Sequence, residues 1–362
     1  MLSSIHPADY LPPREAGGPT PLVSVVMSVY NDGKYVKDAI ESILAQTFTD
    51  FEFVIVDDGC TDNTRDIIAG YHDARIRLIV NEHNLGLAPS LNKAIRLSGA
   101  QYIARQDADD ISLPDRLSRE VDYLDSHPDV ALVGSAAIVI SHDGERRGVW
   151  PAIAEDLDLK WSLLFLNPFI HSSIMVRRSV VEEAGYYTAR PEIAQAFVED
   201  YELWSRVNRI SRSANFAQPL LKFRQNPTSA SVRTRPEHLR QRDRIAQENL
   251  CWVWGMRELE DGTWMRLRRF LLHPPGQNLD LDCGEVRPTV SLLESLHAAF
   301  CAKYEVPRKL AGVHRRRTYW QWARHAWALA LRQNGRRNLR CRLALLAAGM
   351  RLLGSAGRLS AS

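Results

Sequence analysis

The run Leu22-Val23-Ser24-Val25-Val26-Met27-Ser28-Val29-Tyr30 limits the fold of this chain more than any other stretch. It is β-branched and almost wholly apolar, without the alternation of a strand that faces water on one side. Such a strand is buried on both faces, which demands helices above and below it and parallel neighbours beside it. The next segments supply them. Asn31-Asp32-Gly33 breaks the strand, and Val36, Ala39, Ile40, Ile43, Leu44 and Phe48 then recur at helical spacing, with Asn31 or Asp32 as the expected N-cap. Phe51 to Val56 reads as a second strand ending on Asp57-Asp58-Gly59, and a helix capped near Thr61 or Asp62 follows through Ile67 and Ile68. Ile76 to Val80 is a third strand, Leu87, Leu91, Ala94 and Ile95 mark a helix closed by Gly99, and Gln101 to Arg105 is a fourth strand. This alternation predicts an α/β fold: a doubly wound, mostly parallel sheet with right-handed crossovers.

Two of these strands end in clustered acids, Asp57-Asp58 and Asp107-Ala108-Asp109-Asp110. The carboxyl ends of strands are where open α/β sheets bind ligands. Carboxylates packed this closely repel one another unless a cation neutralises them, and oxygen-only ligands suit a hard ion, Mg²⁺ or Mn²⁺, shared with nucleotide phosphates. A solvated acidic turn is the bland alternative. No Gly-x-Gly-x-x-Gly follows the first strand and no Gly-x-x-x-x-Gly-Lys-Ser/Thr occurs, which excludes a dinucleotide fold and a phosphate-loop ATPase.

Val23 to Asn31, Ile55-Val56-Asp57-Asp58-Gly59-Cys60-Thr61-Asp62, Asn84-Leu85-Gly86-Leu87 and Ala104-Arg105-Gln106-Asp107-Ala108-Asp109-Asp110, in this order and spacing, resemble the family 2 glycosyltransferases. These are inverting enzymes with the nucleotide-diphosphosugar-binding fold called GT-A. The resemblance covers roughly Pro21 to Phe223. It implies that Ser28 and Tyr30, with Asn31 beside them, line the base, and that one of Asp57 and Asp58 reads it. Asn84 and Gly86 then approach the nucleotide, Arg105 and Asp107 lie by the ribose and diphosphate, and Asp109 holds the metal, Mn²⁺ or Mg²⁺. Cys60 stands where the family usually has serine.

Further along, Pro114-Asp115-Arg116-Leu117 opens a helix through Leu124, Val130 to Ile140 reads as a buried strand, and Ile153 to Leu166 as a helix. Ile170 to Arg178 reads as a strand carrying His171, which the resemblance sets near the donor phosphates or the acceptor; a hydrogen-bonded core histidine is the equal alternative. In Val198-Glu199-Asp200-Tyr201-Glu202-Leu203, helical spacing puts Glu199 and Asp200 at a helix N-terminus, where the dipole is expected to keep them ionised. Inverting transfer needs an ionised base for the acceptor hydroxyl. The family's Glu-Asp motif makes that base Asp200, with Glu199 orienting it or binding the acceptor.

The chain of 362 residues exceeds one typical domain. The expected division is a flexible tail over 1–20, a GT-A catalytic domain over 21–230 and a mostly helical basic C-terminal extension over 231–362. From Lys303 onward 14 Lys and Arg face one acid, Glu305, whereas the rest carries 42 acids against 32 basic residues. Arg-rich sequence interleaved with Trp320, Trp322, Trp327 and leucines suits an anionic membrane surface; nucleic acid is a lesser reading, and helices packing on the core the bland one. The start has no signal-peptide pattern and the five cysteines have no metal-ligand spacing, so a cytoplasmic protein, peripheral at the inner face of the plasma membrane, is expected. With no Gln-x-x-Arg-Trp motif and no membrane span, the implied activity is non-processive transfer from a nucleotide-diphosphosugar, a UDP-sugar first, to a glycan or lipid-linked acceptor of cell-surface polysaccharide or lipopolysaccharide. The rivals are a nucleotidyltransferase making sugar nucleotides, which would show a basic glycine-rich first loop, and a non-catalytic membrane-associated sugar-nucleotide-binding protein.

Overall fold

The computed structural model describes residues 20–226, 229, 234–271, 283–332 and 339–357. The expected tail over 1–20 therefore lies, except for Thr20, outside the described residues. The chain divides into two compact units, Met1–Ile245 and Ala246–Ser362.

In the first unit, β1 (Val23–Val29) is buried along its whole length and lies between β2 (Phe51–Asp57) and β4 (Tyr102–Arg105), parallel to both. With β3 (Ile76–Val80) parallel to β2, these strands form the order β3-β2-β1-β4. Helices cover both faces. Val25 and Met27 share one cluster with Ile40 and Ile43 of α1 (Val36–Leu44) and with Leu117 and Leu124 of α4 (Arg116–Ser126). Val26 and Ile103 share the other with Leu91 and Ile95 of α3 (Leu87–Leu97) and with Leu203 and Trp204 of α8 (Glu199–Ile210). Burial of each such side chain contributes about 1.5–3 kcal/mol, and only this two-sided covering makes an all-apolar strand favourable.

Beyond β4 the sheet is mixed. β8 (Met175–Arg177) runs antiparallel to β4, β6 (Val130–Ser141) antiparallel to β8, and β9 (Arg212–Gln225) parallel to β6. The short β5 (Ile111–Ser112) pairs with β9, and β7 (Arg146–Trp150) with β6. The strand expected over Ile170 to Arg178 is shorter than that: His171–Ser173 forms a 3₁₀ turn and only Met175–Arg177 is extended. Within the turn, Ser172 Oγ donates to the Asp110 carboxylate and Ser173 Oγ to the Ile170 carbonyl (2.9 Å). The N-cap expected at Asn31 or Asp32 is also corrected. α1 begins at Val36, and Asp32 takes part through its backbone carbonyl, which accepts from the amides of Tyr35 and Val36.

The second unit is mostly helical over its described residues, with the end of Arg235–Trp254 and then Thr263–Leu271, Cys283–Lys303, Arg308–Arg332 and Leu339–Gly357. Trp264, Leu267, Phe270, Leu293, Leu296 and Phe300 are among its buried residues. The last two helices meet at Gly349, where an added Cβ would fall 2.1 Å from the Trp327 indole nitrogen. Glycine is required there by contact.

Candidate active site

β1 sits where the chain turns from building the sheet on one side, β2 and β3, to building it on the other with β4. The carboxyl ends of these strands flank a switch point, the ordinary ligand crevice of an open α/β sheet. Register places Asp57 beside Val29 and Arg105 beside Val26.

On the β2 side the two adjacent acids have different surroundings. Asp58 is buried and held by four donors: its carboxylate accepts from Asn81 Nδ2 (2.8 Å), Ser90 Oγ (2.9 Å) and the amides of Leu85 and Gly86 (both 2.9 Å). Three of these donors meet Oδ1 and the Gly86 amide meets Oδ2, and together they tie the 81–90 loop to the sheet. Asp57 accepts from the Cys60 amide (2.7 Å) and pairs with the half-exposed Arg65 guanidinium. Gly59, at φ +74°, lets the two loops touch, since a Cβ there would lie 2.7 Å from the His83 backbone carbonyl carbon. Gly86 also has positive φ, and Asn84 is exposed beside it. Asn31 occupies the left-handed region (φ 53°) that asparagine tolerates, and its carboxamide accepts from the Thr61 amide (2.8 Å) and donates to Thr61 Oγ1 (3.1 Å). It clamps the β1 end to the β2 loop. Ser28 is buried in β1, and Tyr30 is 48% exposed at its end.

The division between the two acids gives a measurable contrast. Asp58→Ala leaves buried donors without an acceptor and is expected to lower unfolding free energy by about 2–3 kcal/mol. Asp57 is equally buried, but Asp57→Asn keeps a side-chain oxygen for the Cys60 amide and gives up only the pair with half-exposed Arg65, so it is expected to cost about 1 kcal/mol. Urea denaturation with unchanged m checks both; equal losses would contradict the assignment.

The acidic loop is built from below. Gln106 is buried and donates to the carbonyls of Asp107 (3.0 Å) and Asp110 (2.9 Å), while its own oxygen accepts from Ser112 Oγ (2.7 Å) and Arg116 Nη1 (3.2 Å). Arg116, fully buried, also reaches the carbonyls of Arg105 (2.8 Å) and Ile174 (3.2 Å) and pairs with buried Glu120 (3.1 Å). Asp110 accepts from the Arg224 amide (2.8 Å) and from Ser172 Oγ, and Arg224 donates through Nε to the Asp109 carbonyl (2.8 Å). What remains facing the crevice is Asp107 and Asp109, with Asp32 close by. Burial, reinforced by Asp107 and Asp32, pushes the Asp109 carboxyl up to about 7; burial, with Asp107 and Asp62, pushes Asp32 up to about 6. Among the described residues no three His, Cys, Asp or Glu side chains group as a metal cage. A carboxylate crowded by like charge fits a hard cation completed by substrate phosphates and water, which needs one or two protein ligands only.

Across the crevice stand Glu199 and Asp200 in the first turn of α8. Asp200 accepts from Asn167 Nδ2 (2.8 Å) and from the Tyr201 amide (2.7 Å). Burial is the main cause that lifts its carboxyl to about 6, and nearby Asp107 adds to it. Glu199 is buried with Oε2 unpartnered, and burial next to Asp200 lifts it to about 8. The expectation that both are ionised is therefore corrected: burial raises both carboxyls, Glu199 further through the charge of Asp200, and desolvation outweighs the helix dipole, so the pair resists carrying two negative charges.

A buried chain joins the two sides. Arg105 donates to Asp107 (2.5 Å) and, through Nε, to His171 Nε2 (3.2 Å), and the Tyr187 hydroxyl lies 2.7 Å from the same nitrogen. A guanidinium nitrogen can only donate, so His171 Nε2 accepts and the ring is neutral. Burial and Arg105 push the ring down to about 3. Tyr187 is fixed in turn by Asn92, which bonds both its amide (3.0 Å) and its carbonyl (2.9 Å). Gln106, Arg116, Asn167, Ser172, Tyr187 and Arg224 all shape this site and were missed by sequence reasoning; only Gln106 and Arg116 flank the acidic motif closely enough to have been suspected.

The chain matches the profile described as Glycosyl transferase family 2 over residues 24–185. It is 35% identical to the putative glycosyltransferase EpsE of Bacillus subtilis, over 57% of this chain and 74% of that protein. It is 31% identical to the amylovoran biosynthesis glycosyltransferase AmsE of Erwinia amylovora, over 56% of this chain and 76% of that one. Among solved structures, S. aureus TarS in complex with UDP-GlcNAc superposes with a TM-score of 0.54 at 18% identity, covering 93% of this chain and 91% of TarS. That likeness supports the same fold.

Proposed function

Since the chain belongs to glycosyl transferase family 2, we propose that it moves a sugar, with inversion, from a nucleoside-diphosphosugar to a hydroxyl of a glycan or lipid-linked acceptor in surface polysaccharide or lipopolysaccharide synthesis. The observation that carries this reading is that Asp107 on the strand loop lies close enough to both Asp109 and Asp200 to raise their carboxyls, with the bonded chain Arg105–His171–Tyr187 starting from the same Asp107.

In this reading Asp57 reads the base, because Asp58 is already held by four donors of the 81–90 loop. Ser28, Tyr30, Asn31, Asn84 and Gly86 border the nucleotide, and Arg105 and Asp107 the ribose and diphosphate. Asp109 would hold Mn²⁺ or Mg²⁺, whose contribution is Lewis-acid neutralisation of the departing diphosphate. Asp200, held by Asn167, takes the proton of the acceptor hydroxyl as that oxygen attacks the anomeric carbon from the side opposite the leaving group. Neutral Glu199 offers the acceptor a hydrogen-bond donor and keeps a second negative charge away from Asp200. His171 holds Arg105 in place without carrying charge itself.

Calorimetry with UDP, GDP, CDP and dTDP, each with and without Mn²⁺, tests the donor side on wild type and Asp109→Ala. The expected result is metal-dependent binding of one diphosphate, UDP first, lost in the variant. Absence of any metal-dependent diphosphate binding would overturn the reading.

A further inference from the structure

The catalytic crevice leaves one strongly patterned surface unexplained, the outer face of the helix Arg308–Arg332 in the second unit. Its inner face is ordinary core: His314, Thr318, Tyr319, Trp322, Ala323 and Ala326 are buried. Lys309, Val313, Arg316, Trp320 and Arg324, spaced by four, three, four and four residues, make one straight row on the opposite side, and all five are exposed. Val313 is 42% and Trp320 51% exposed, with Leu310 at 55% on the border of the row. Tyr319 and Trp322, the aromatic neighbours of Trp320, are inside, so the core has room for indoles and this one is left out of it. The next helix, Leu339–Gly357, leaves Leu343 (57%) and Met350 (62%) exposed two turns apart on one face. No Asp or Glu occurs after Glu305, and of the cations beyond it Arg351 pairs with Glu294 of the helix Cys283–Lys303.

We propose that this row of Lys, Val, Arg, Trp and Arg is the face on which the chain docks to an anionic lipid bilayer. The inference rests on the reading above only in that a bilayer is where a lipid-linked acceptor resides. Cationic heads meet lipid phosphates while the indole and aliphatic side chains between them reach the headgroup boundary. Among the described residues no helix is long and apolar enough to cross a membrane, so contact is lateral. A nucleic acid would use the arginines and Trp320 but would leave Leu310, Val313, Leu343 and Met350 in water. A second copy meeting this face by two-fold symmetry would bring like charges together.

The test is co-sedimentation of the full chain with vesicles of phosphatidylcholine alone and of phosphatidylcholine with phosphatidylglycerol. Partition is expected only with the anionic vesicles, weakening as salt rises. Arg316→Glu with Arg324→Glu is expected to weaken it at least tenfold, from about 1 kcal/mol per basic residue at the surface. Trp320→Ala is expected to weaken binding at low and high salt alike. Both variants should keep wild-type UDP binding, which separates failure here from failure of the transferase reading. Equal partition to neutral vesicles, no partition, preferred capture by duplex nucleic acid, or a dimer lost in Trp320→Ala would each overturn the proposal.

Discussion

Asp200→Asn is expected to lower kcat for sugar transfer by about 10²–10⁴-fold, the usual contribution of a positioned general base, with nucleotide affinity unchanged. The side chain is preset for this role by a contact on each oxygen, Asn167 Nδ2 on one and the Tyr201 amide on the other. Asparagine keeps the shape and loses the capacity to take a proton. The same carboxyl sets the pH dependence. It is lifted to about 6 and must be ionised to act, so kcat should rise with pH through about 6 and level off above it. Glu199, lifted to about 8, stays protonated between those two values, and Glu199→Gln, which makes the neutral form permanent, should retain most of kcat at pH 7. A single-turnover pH profile on the three proteins checks this. A full rate in Asp200→Asn would place the base elsewhere.

Arg116→Met is expected to cost about 3–5 kcal/mol of stability, the typical loss when one partner of a buried ion pair is removed. Arg116 and Glu120 are both fully buried, and Glu120 Oε2 already lacks a partner. Burial raises Glu120 to about 7 even with Arg116 beside it. A folded-state value above the unfolded one means protonation favours the folded state, fully below the unfolded value and progressively less as pH rises through 7. The deficit of Arg116→Met should therefore be smallest in mild acid and grow towards alkaline pH. Arg116→Met with Glu120→Leu should recover most of the loss, because matched apolar groups replace a buried pair at little cost. Nucleotide binding should stay weak in the double variant, since the bonds from Arg116 to Gln106, Ser112 and the carbonyls of Arg105 and Ile174 are still missing. Chemical denaturation at three pH values and calorimetry together separate the two roles. Full recovery of both would leave Arg116 as packing only.

The first half of the sheet was legible because its signals are local. An all-apolar strand such as β1, an apolar run stopped by Asp57-Asp58, and helical spacing in α1 and α3 each read within ten residues or so. The acids of the crevice were legible for the same reason: charged clusters at strand ends have no other easy place. Asn31 was misread as a cap because its real partner, Thr61, is 30 residues away and reached only through a left-handed turn. Arg224 gave no sign of itself; its bonds to Asp109 and Asp110 span more than a hundred residues. The protonation of Glu199 was misjudged because helix position is visible in sequence and desolvation is not.

β4 pairs in parallel with β1 on one edge and antiparallel with β8 on the other. Everything proposed to touch the nucleotide base precedes it in the chain, and the base catalyst follows it. The side-chain bonds that cross that boundary include Asn92 to the backbone of Tyr187, Arg224 to Asp38, and Gln46 to the carbonyl of Leu113 and the amide of Leu117. The strand is thus a natural point for recombination between relatives. A chimera that keeps those bonds could inherit its nucleotide from one parent and its acceptor from the other, so the two halves of specificity can diversify independently on one sheet.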